Sequence, residues 1–259
     1  GSMDVLCTDK TGTLTEGSIV LNGVLDAENR SSQEVGQLAF LNAAFETGID
    51  NPLDAAIIAA GKSAGLTTHG FTKIDEIPYD FLRRRLTIVV AEDGSPTQHL
   101  IVTKGAFSNV LDSCSSLQRG AVDIPLTSEL RAQLDAVFQA KGAEGFRVLA
   151  VATRRVAAKQ RYARDDEQSM TFRGFLVFLD PPKAEAQRTI EDLGRLGIRI
   201  KVVSGDNRHV TAHLATAVGL NGKWHSSPGC CHSGGFGVVT NRRLGVGEHP
   251  HRGFETVTI

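Results

Sequence analysis

The chain has 259 residues, a formal net charge of −1, and hydrophobic and charged fractions of 41% and 22%, which describe an ordinary globular protein of one large or two modest domains. So balanced a charge supplies no general field for nucleic acid or anionic lipid. The four cysteines, Cys7, Cys114, Cys230 and Cys231, form neither a disulfide framework nor a paired metal-ligand spacing, so a reducing compartment fits best. No apolar run reaches the roughly 18 residues of a membrane span, and Gly1-Ser2-Met3 lacks a signal peptide's basic and apolar regions, reading instead as the residue of a cleaved tag. A soluble piece of something longer is the expectation, with no direct membrane insertion.

In chain order, Asp4-Val5-Leu6-Cys7-Thr8-Asp9 is an apolar run ending in an acid, which predicts a buried parallel strand with Asp9 at its C-terminal tip. Residues 18–25 predict a strand leading away. Ser31 with Glu34 forms a capping box for a helix to about Glu46, and Asn51-Pro52 supplies a cap and first-turn proline for residues 53–64, together a helical hairpin. The period then becomes two over residues 71–77, 86–91 and 99–103, with Asp93-Gly94 as a turn, predicting an antiparallel sheet. A helix is expected over 128–141 and strands over 146–153 and 172–179. From Asp180 onward βα alternation returns, with a helix over about 184–196 closed by Gly197, a strand over 198–203, and a helix over about 208–218 closed by Gly219. An α+β domain inserted into an α/β domain explains this order better than a tandem pair. A strand at residues 4–9 cannot bury both faces alone and needs the sheet supplied by residues 175–221.

The chemistry concentrates in Asp9-Lys10-Thr11-Gly12-Thr13-Leu14-Thr15. An aspartate at a parallel strand tip, followed by a Gly-containing turn with free N–H groups and hydroxyls, is placed to attack phosphorus and cradle the transferred oxygens. An isolated aspartate there would more often merely cap a turn. Seven consecutive residues reverse those odds, because DKTGTLT resembles without mismatch the phosphorylation signature of P-type ATPases.

That resemblance extends to about Leu220. Ser204-Gly205-Asp206-Asn207 is similar to the family's [ST]GD motif, which implies that Ser204 holds phosphoryl oxygens and Asp206 orients groups around the site; alone, SGDN is an ordinary strand-to-helix loop. Asp180-Pro181-Pro182-Lys183 resembles the DPPR hinge segment, with lysine for arginine. In the middle segment, Lys104-Gly105-Ala106 is similar to the KGA motif whose lysine reaches ATP. Glu76-Ile77-Pro78-Tyr79-Asp80-Phe81 and the following Arg83-Arg84-Arg85 resemble the stretch in which an aromatic stacks on adenine and a basic residue meets the phosphates. Tyr79 takes the aromatic position and Arg84 the basic one, while Phe81 could be core. Stacking on Tyr79 would contribute ~1–3 kcal/mol. Asp54 corresponds to an acidic residue near the adenine and Arg147 to an arginine near the phosphates, although salt-bridge or surface roles fit these two equally well.

The resemblance implies a haloacid-dehalogenase-like, Rossmannoid α/β phosphorylation domain with an inserted α+β nucleotide-binding domain built on an antiparallel sheet. The expected boundaries are 1–20 and 175–221 for the former, 21–174 for the latter, and 222–259 for a tail. It implies ATP as substrate, Mg²⁺ held by Asp9 and a backbone carbonyl near Thr11, membrane helices of a parent pump as partners, and the cytoplasmic face of a cell membrane as location. The segment EIPYDFLRRRLTIVV and Asn51-Pro52-Leu53-Asp54 look most like the bacterial magnesium-transporting branch. Haloacid-dehalogenase-type phosphatases commonly carry a second aspartate two residues after the nucleophile as general acid and base. Here that residue is Thr11, which favours a persistent aspartyl phosphate over a soluble phosphohydrolase with a large cap, or over a nucleotide-binding regulatory fragment. The family's later lysine and GDGxND motif are not found. Residues 223–259 are rich in Gly, His and Arg and unlike the family, so the phosphorylation domain is expected to be incomplete and the isolated chain to turn ATP over little or not at all. A shifted reading frame would produce such a tail; a Cys/His metal site at Cys230, Cys231 and His232 is disfavoured by their close spacing.

Overall fold

The computed structural model describes residues 4–48, 51–204, 208–220, 224–226 and 237–240. Asp206, Cys230, Cys231 and His232 lie outside the described residues. Two sheets organise the rest. The larger is ordered β3 (Phe71–Ile77), β4 (Arg85–Glu92), β5 (Gln98–Ala106), β8 (Arg147–Ala157), β9 (Met170–Leu179), β6 (Cys114–Arg119) and β7 (Val122–Pro125), with β2 (Val20–Asp26) also pairing with β9. The smaller pairs β1 (Val5–Asp9) in parallel with β10 (Arg199–Ser204) and extends antiparallel through β12 (Gly237–Thr240) to β11 (Trp224–Ser226).

The period-two pattern works as alternation should. Leu86, Ile88 and Val90 on β4, with Leu100 and Val102 on β5, pack against α1 (Gln33–Phe45) and α2 (Pro52–Ser63). Val89 and Ile101 point the other way, into a core shared with α3 (Phe107–Leu111), α4 (Ser128–Ala143) and the rings of Phe172 and Phe175. Asn42, fully buried on α1, donates to the carbonyls of Leu86 (3.4 Å) and Val102 (2.8 Å), pinning the helix across two strands. The small sheet has its own core of Ile200, Val202, Ile190 of α5 (Ala186–Arg195) and Leu214 of α6 (Arg208–Ala217).

Two expectations shift. The cap of α1 is Ser32, whose hydroxyl accepts from Val35 N at 3.3 Å. Ser31 is instead held in a bridge to Leu25, and Glu34 pairs with Arg173. The boundary placed before residue 175 also falls inside a strand: Phe175, Leu176, Val177 and Phe178 of β9 pair with both β8 and β2. These residues are buried on the large sheet, so the crossing between sheets comes after Leu179.

A buried carboxylate ties the β3–β4 turn to the segment before β9. Glu167, with a fully buried side chain, accepts from Arg83 Nη1 (2.6 and 2.5 Å), Arg85 Nε (3.0 Å) and the Thr87 hydroxyl (2.6 Å). Arg83 also donates to Asp80 (2.8 Å) and to the Pro78 carbonyl (2.6 Å), closing the turn on itself. The Arg83 backbone N–H and guanidinium hold the Asp80 carboxyl down to about 2. Removing one partner of such a cluster strands the other charges away from water. Glu167→Ala should therefore lower the unfolding free energy by about 3–5 kcal/mol, measured by urea titration; a loss below about 1 kcal/mol would place the cluster effectively in solvent.

Candidate functional site

Asp9 ends β1 directly opposite Val203 in the parallel register, so Asp9 and Ser204 emerge at the same C-terminal edge. This is where α/β sheets present ligand-binding groups, because the strand-to-helix turns open there. Asp9 is exposed, and its Oδ1 accepts from Lys10 N at 2.8 Å. The following turn is braced by Asp180, which accepts from the Thr15 hydroxyl (2.7 Å) and Gly17 N (3.2 Å) and lies 3.6 Å from Lys10 Nζ. Lys183, standing where the DPPR segment has arginine, donates to the Gly12 carbonyl at 2.7 Å. The double-proline segment is therefore the scaffold of the Asp9 turn.

Arg147, Lys10 and Thr11 line one small cavity together with Gly145, Asp180 and Val210. Gly145 makes this approach possible. It adopts φ +90°, and a Cβ on it would lie 2.4 Å from the His213 ring of α6. His213 Nδ1 in turn meets the Ala143 carbonyl at 3.1 Å.

A second constellation lies in the large sheet. Lys104, 4% exposed, is ion-paired with Asp54 and stands 3.8 Å from the Glu46 carboxylate. Asp54 and Glu46 line a cleft of about 500 Å³ between the end of α1 and the start of α2. Asn51 opens α2 there by accepting from Leu53 N at 3.0 Å, and Pro52 occupies the first turn. Gly105 lets β5 close on β4: a Cβ would sit 2.5 Å from the Arg84 carbonyl oxygen, which accepts from Ala106 N at 2.9 Å. Arg84 itself is held at φ +50°, with its N–H donating to the Asp80 carbonyl at 2.7 Å. The three arginines thus divide: Arg83 and Arg85 serve Glu167, and Arg84 sits between them in a left-handed conformation.

Tyr79 is half-exposed on the same turn, edge to face with Phe81 at 5.6 Å between ring centroids. Phe81 is 87% exposed, so it is not a core residue; the Arg83 clamp turns the tip of the loop outward. Tyr79, Arg84 and Gly105 do not line the cleft that holds Asp54, and Arg147 belongs to the cavity beside Lys10. Among the described residues no group of three or more His, Cys, Asp or Glu side chains could hold a metal ion.

Residues 29–185 match the family model described as P-type ATPase, cytoplasmic domain N. The chain belongs to this family. It is 38% identical over 224 residues to the "Magnesium-transporting ATPase, P-type 1" of Escherichia coli (strain K12), covering 85% of this chain and 25% of that protein. A Salmonella typhimurium protein of the same name is 39% identical over 226 residues, with the same coverage. The "Calcium-transporting ATPase 1" of Bacillus cereus is 26% identical over 240 residues, covering 85% of this chain and 27% of that protein. The chain therefore spans about a quarter of the length of the curated relatives it matches. No helix among the described residues is long and apolar enough to cross a membrane.

Reasoning from motifs alone missed Glu46 and Glu167. Glu46 carries only the weak signal of an acid at a helix end beside an apolar hairpin, and Glu167 none, because its partners lie 80 to 84 residues away.

Two outcomes follow from these geometries. A left-handed non-glycine residue costs ~1–2 kcal/mol, so Arg84→Gly should be more stable than Arg84→Ala by about that amount in thermal melts, although both lack the guanidinium. Burial pushes Lys104 from 10.5 down to about 8, against the opposing pull of Glu46. Between those values the unfolded chain holds a proton that the folded chain has released, so stability attributable to Lys104 rises as pH climbs through that window. Lys104→Met should flatten that part of the stability–pH curve; an unchanged slope would remove the shift.

Proposed function

We propose that this chain is the cytoplasmic catalytic portion of an ATP-driven cation pump, magnesium-transporting like the relatives it resembles over most of its length, in which Asp9 accepts the γ-phosphoryl group. The observation that carries the reading is convergence at one edge: Asp9 and Ser204 end neighbouring parallel strands there, and the Lys10–Thr11 turn that follows Asp9 lines a cavity together with Arg147 from the large sheet. In this reading residues 1–20 and the segment from Asp180 to about 221 form a haloacid-dehalogenase-like phosphorylation domain, and the large sheet with its helices binds the nucleotide. The protein would face the cytoplasm, attached to membrane helices outside this sequence.

By the family's pattern Tyr79 would stack on the adenine near Lys104 and Asp54, and Arg84 and Arg147 would meet the phosphates, although Tyr79 and Arg84 stand outside the Asp54 cleft and Arg147 lines the cavity beside Lys10. Asp9 Oδ2 attacks the γ-phosphorus in line, the P–O bond to the β-phosphate breaks, and ADP leaves. Lys10, Ser204 and the N–H groups of the turn would receive the equatorial oxygens. Mg²⁺ would be held by the Asp9 carboxylate and a carbonyl near Thr11, oxygen donors that suit a hard cation. When bound, Mg²⁺ would neutralise charge developing on the transferring phosphoryl group. Thr11 stands where a hydrolytic relative places an aspartate, so no side chain there activates water, and the aspartyl phosphate should persist.

The decisive experiment uses the full-length pump: label with γ-³²P-ATP and Mg²⁺, quench in acid, and treat with hydroxylamine. Label that hydroxylamine releases and that Asp9→Asn abolishes is expected. Label absent from the wild type, or retained in Asp9→Asn, overturns the assignment. In the 259-residue chain, Tyr79→Ala should weaken ATP binding roughly tenfold or more by calorimetry, and steady ATP turnover should be no higher than in Asp9→Asn.

A further inference from the structure

The end of α4 leaves one backbone group to be met from the other sheet. Gly145, at φ +90°, turns the chain out of the helix. Phe146 N then donates back to the Lys141 carbonyl (3.0 Å), Gly145 N to the Gly142 carbonyl (3.0 Å) and Glu144 N to the Ala140 carbonyl (3.0 Å). This glycine-terminated cap satisfies most of a helix's last carbonyls. The Ala143 carbonyl receives none of the three, and it is His213 of α6 that reaches it, with Nδ1 at 3.1 Å. A carbonyl only accepts, so the ring carries its proton on Nδ1. The same ring fills the space that a side chain on residue 145 would need: a Cβ there would come within 2.4 Å of its Cδ2 and 2.9 Å of its Cγ and Nε2. Val210, one turn earlier on α6, lines the cavity with Gly145, Arg147, Lys10 and Thr11. α6 therefore meets both the end of α4 and the start of β8.

We infer that His213 is a positioning residue for phosphoryl transfer: by capping α4 across the boundary between the two sheets, it holds the start of β8, and Arg147 with it, against the Asp9 turn. The inference rests on the reading above and adds to it a residue that acts through Arg147 and touches no reacting atom. Its leverage is short at both ends. Arg147 opens β8 just after the Gly145 turn, and α6 starts at Arg208, just past the Ser204 strand end. β2 and β9 carry the chain between the sheets, and a connection by itself leaves the angle between them open. A second contact, made by a hydrogen bond and by packing on a glycine, narrows that angle. Water could satisfy the Ala143 carbonyl at this exposed helix end, so stability alone does not call for a histidine from the other sheet. What the contact adds is a fixed distance, and misplacing a catalytic group by about 1 Å can cost about a hundredfold in rate.

The test follows phosphoenzyme formation in the full-length pump by rapid-quench labelling with γ-³²P-ATP and Mg²⁺. In His213→Ala the rate constant at saturating ATP should fall by about tenfold to a hundredfold, with little change in the ATP concentration that gives half the maximal rate. A residue that merely stabilises α4 would lower the amount of labelled protein and the melting temperature, but not the rate constant of the molecules that remain folded. His213→Asn puts an amide N–H where Nδ1 stands and should recover most of the rate, whereas His213→Gln, whose amide reaches the Nε2 position, should not. Gly145→Ala should slow labelling in the wild type by displacing the ring and add little in His213→Ala. An unreduced rate constant in His213→Ala, equal recovery in both conservative variants or in neither, or equal slowing by Gly145→Ala in both backgrounds overturns the inference while leaving Asp9 as the acceptor. If the wild-type pump forms no hydroxylamine-sensitive label, the Asp9 reading itself has failed and the inference falls with it.

Discussion

Everything in this molecule hangs on how the chain crosses between its two sheets. It leaves the Asp9 turn through β2 and returns through β9, and those two strands are hydrogen-bonded neighbours from Val20 opposite Leu179 to Asp26 opposite Gly174. Below them Thr15 bridges Pro182, Glu16 N donates to the Pro181 carbonyl at 2.9 Å, and Lys183 N donates to the Leu14 carbonyl at 2.9 Å. Only with both crossings pinned side by side can β1 find its parallel partner β10. A parallel pair cannot be made by a hairpin; it needs a connection, and here the connection is the whole large sheet with its helices. The entropic cost of closing so long a loop grows slowly with length, and the paired crossing strands meet most of it locally.

The two buried glutamates show opposite solutions to one electrostatic problem. Taking a carboxylate out of water is costly unless its lone pairs are filled. Glu167 fills them with two guanidiniums and a hydroxyl, and the result is a rigid turn that fixes the backbone of Tyr79 and Arg84. Glu46 keeps one oxygen buried 3.8 Å from the Lys104 ammonium, without a hydrogen bond from the described residues. The first arrangement is complete in itself, whereas the second leans on one neighbouring ammonium.

How much of this was legible in the residues depended on distance along the chain. Period-two runs located β3, β4 and β5 because the signal for each strand lies within the strand. Asn51-Pro52 marked the start of α2 because a cap needs only its own next residues. The α1 cap slipped by one residue, since Ser31 and Ser32 are equivalent locally and a bridge from Leu25 decides between them. Assigning Phe175 to Leu179 to the small sheet failed for the same reason: an apolar run does not say which sheet it joins, and pairing with β2, some 150 residues earlier, settles it. Asp9 could be read locally as the acid at a strand tip, whereas Ser204, Lys104, Asp54 and Arg147 were visible only through the family's motifs, because what each of them faces depends on contacts that no local pattern records.

The prolines after β9 carry one more consequence. Pro181 and Pro182 have no N–H to offer, so the β2–β9 ladder cannot run on into the Asp9 turn, and the pairing thins there to the single bridge at Thr15. Strand pairing therefore gives way in one short stretch to side-chain braces, Asp180 on Thr15 and Gly17 and Lys183 on Gly12, so the position of the Asp9 turn is set by a few polar contacts and not by a continuous ladder.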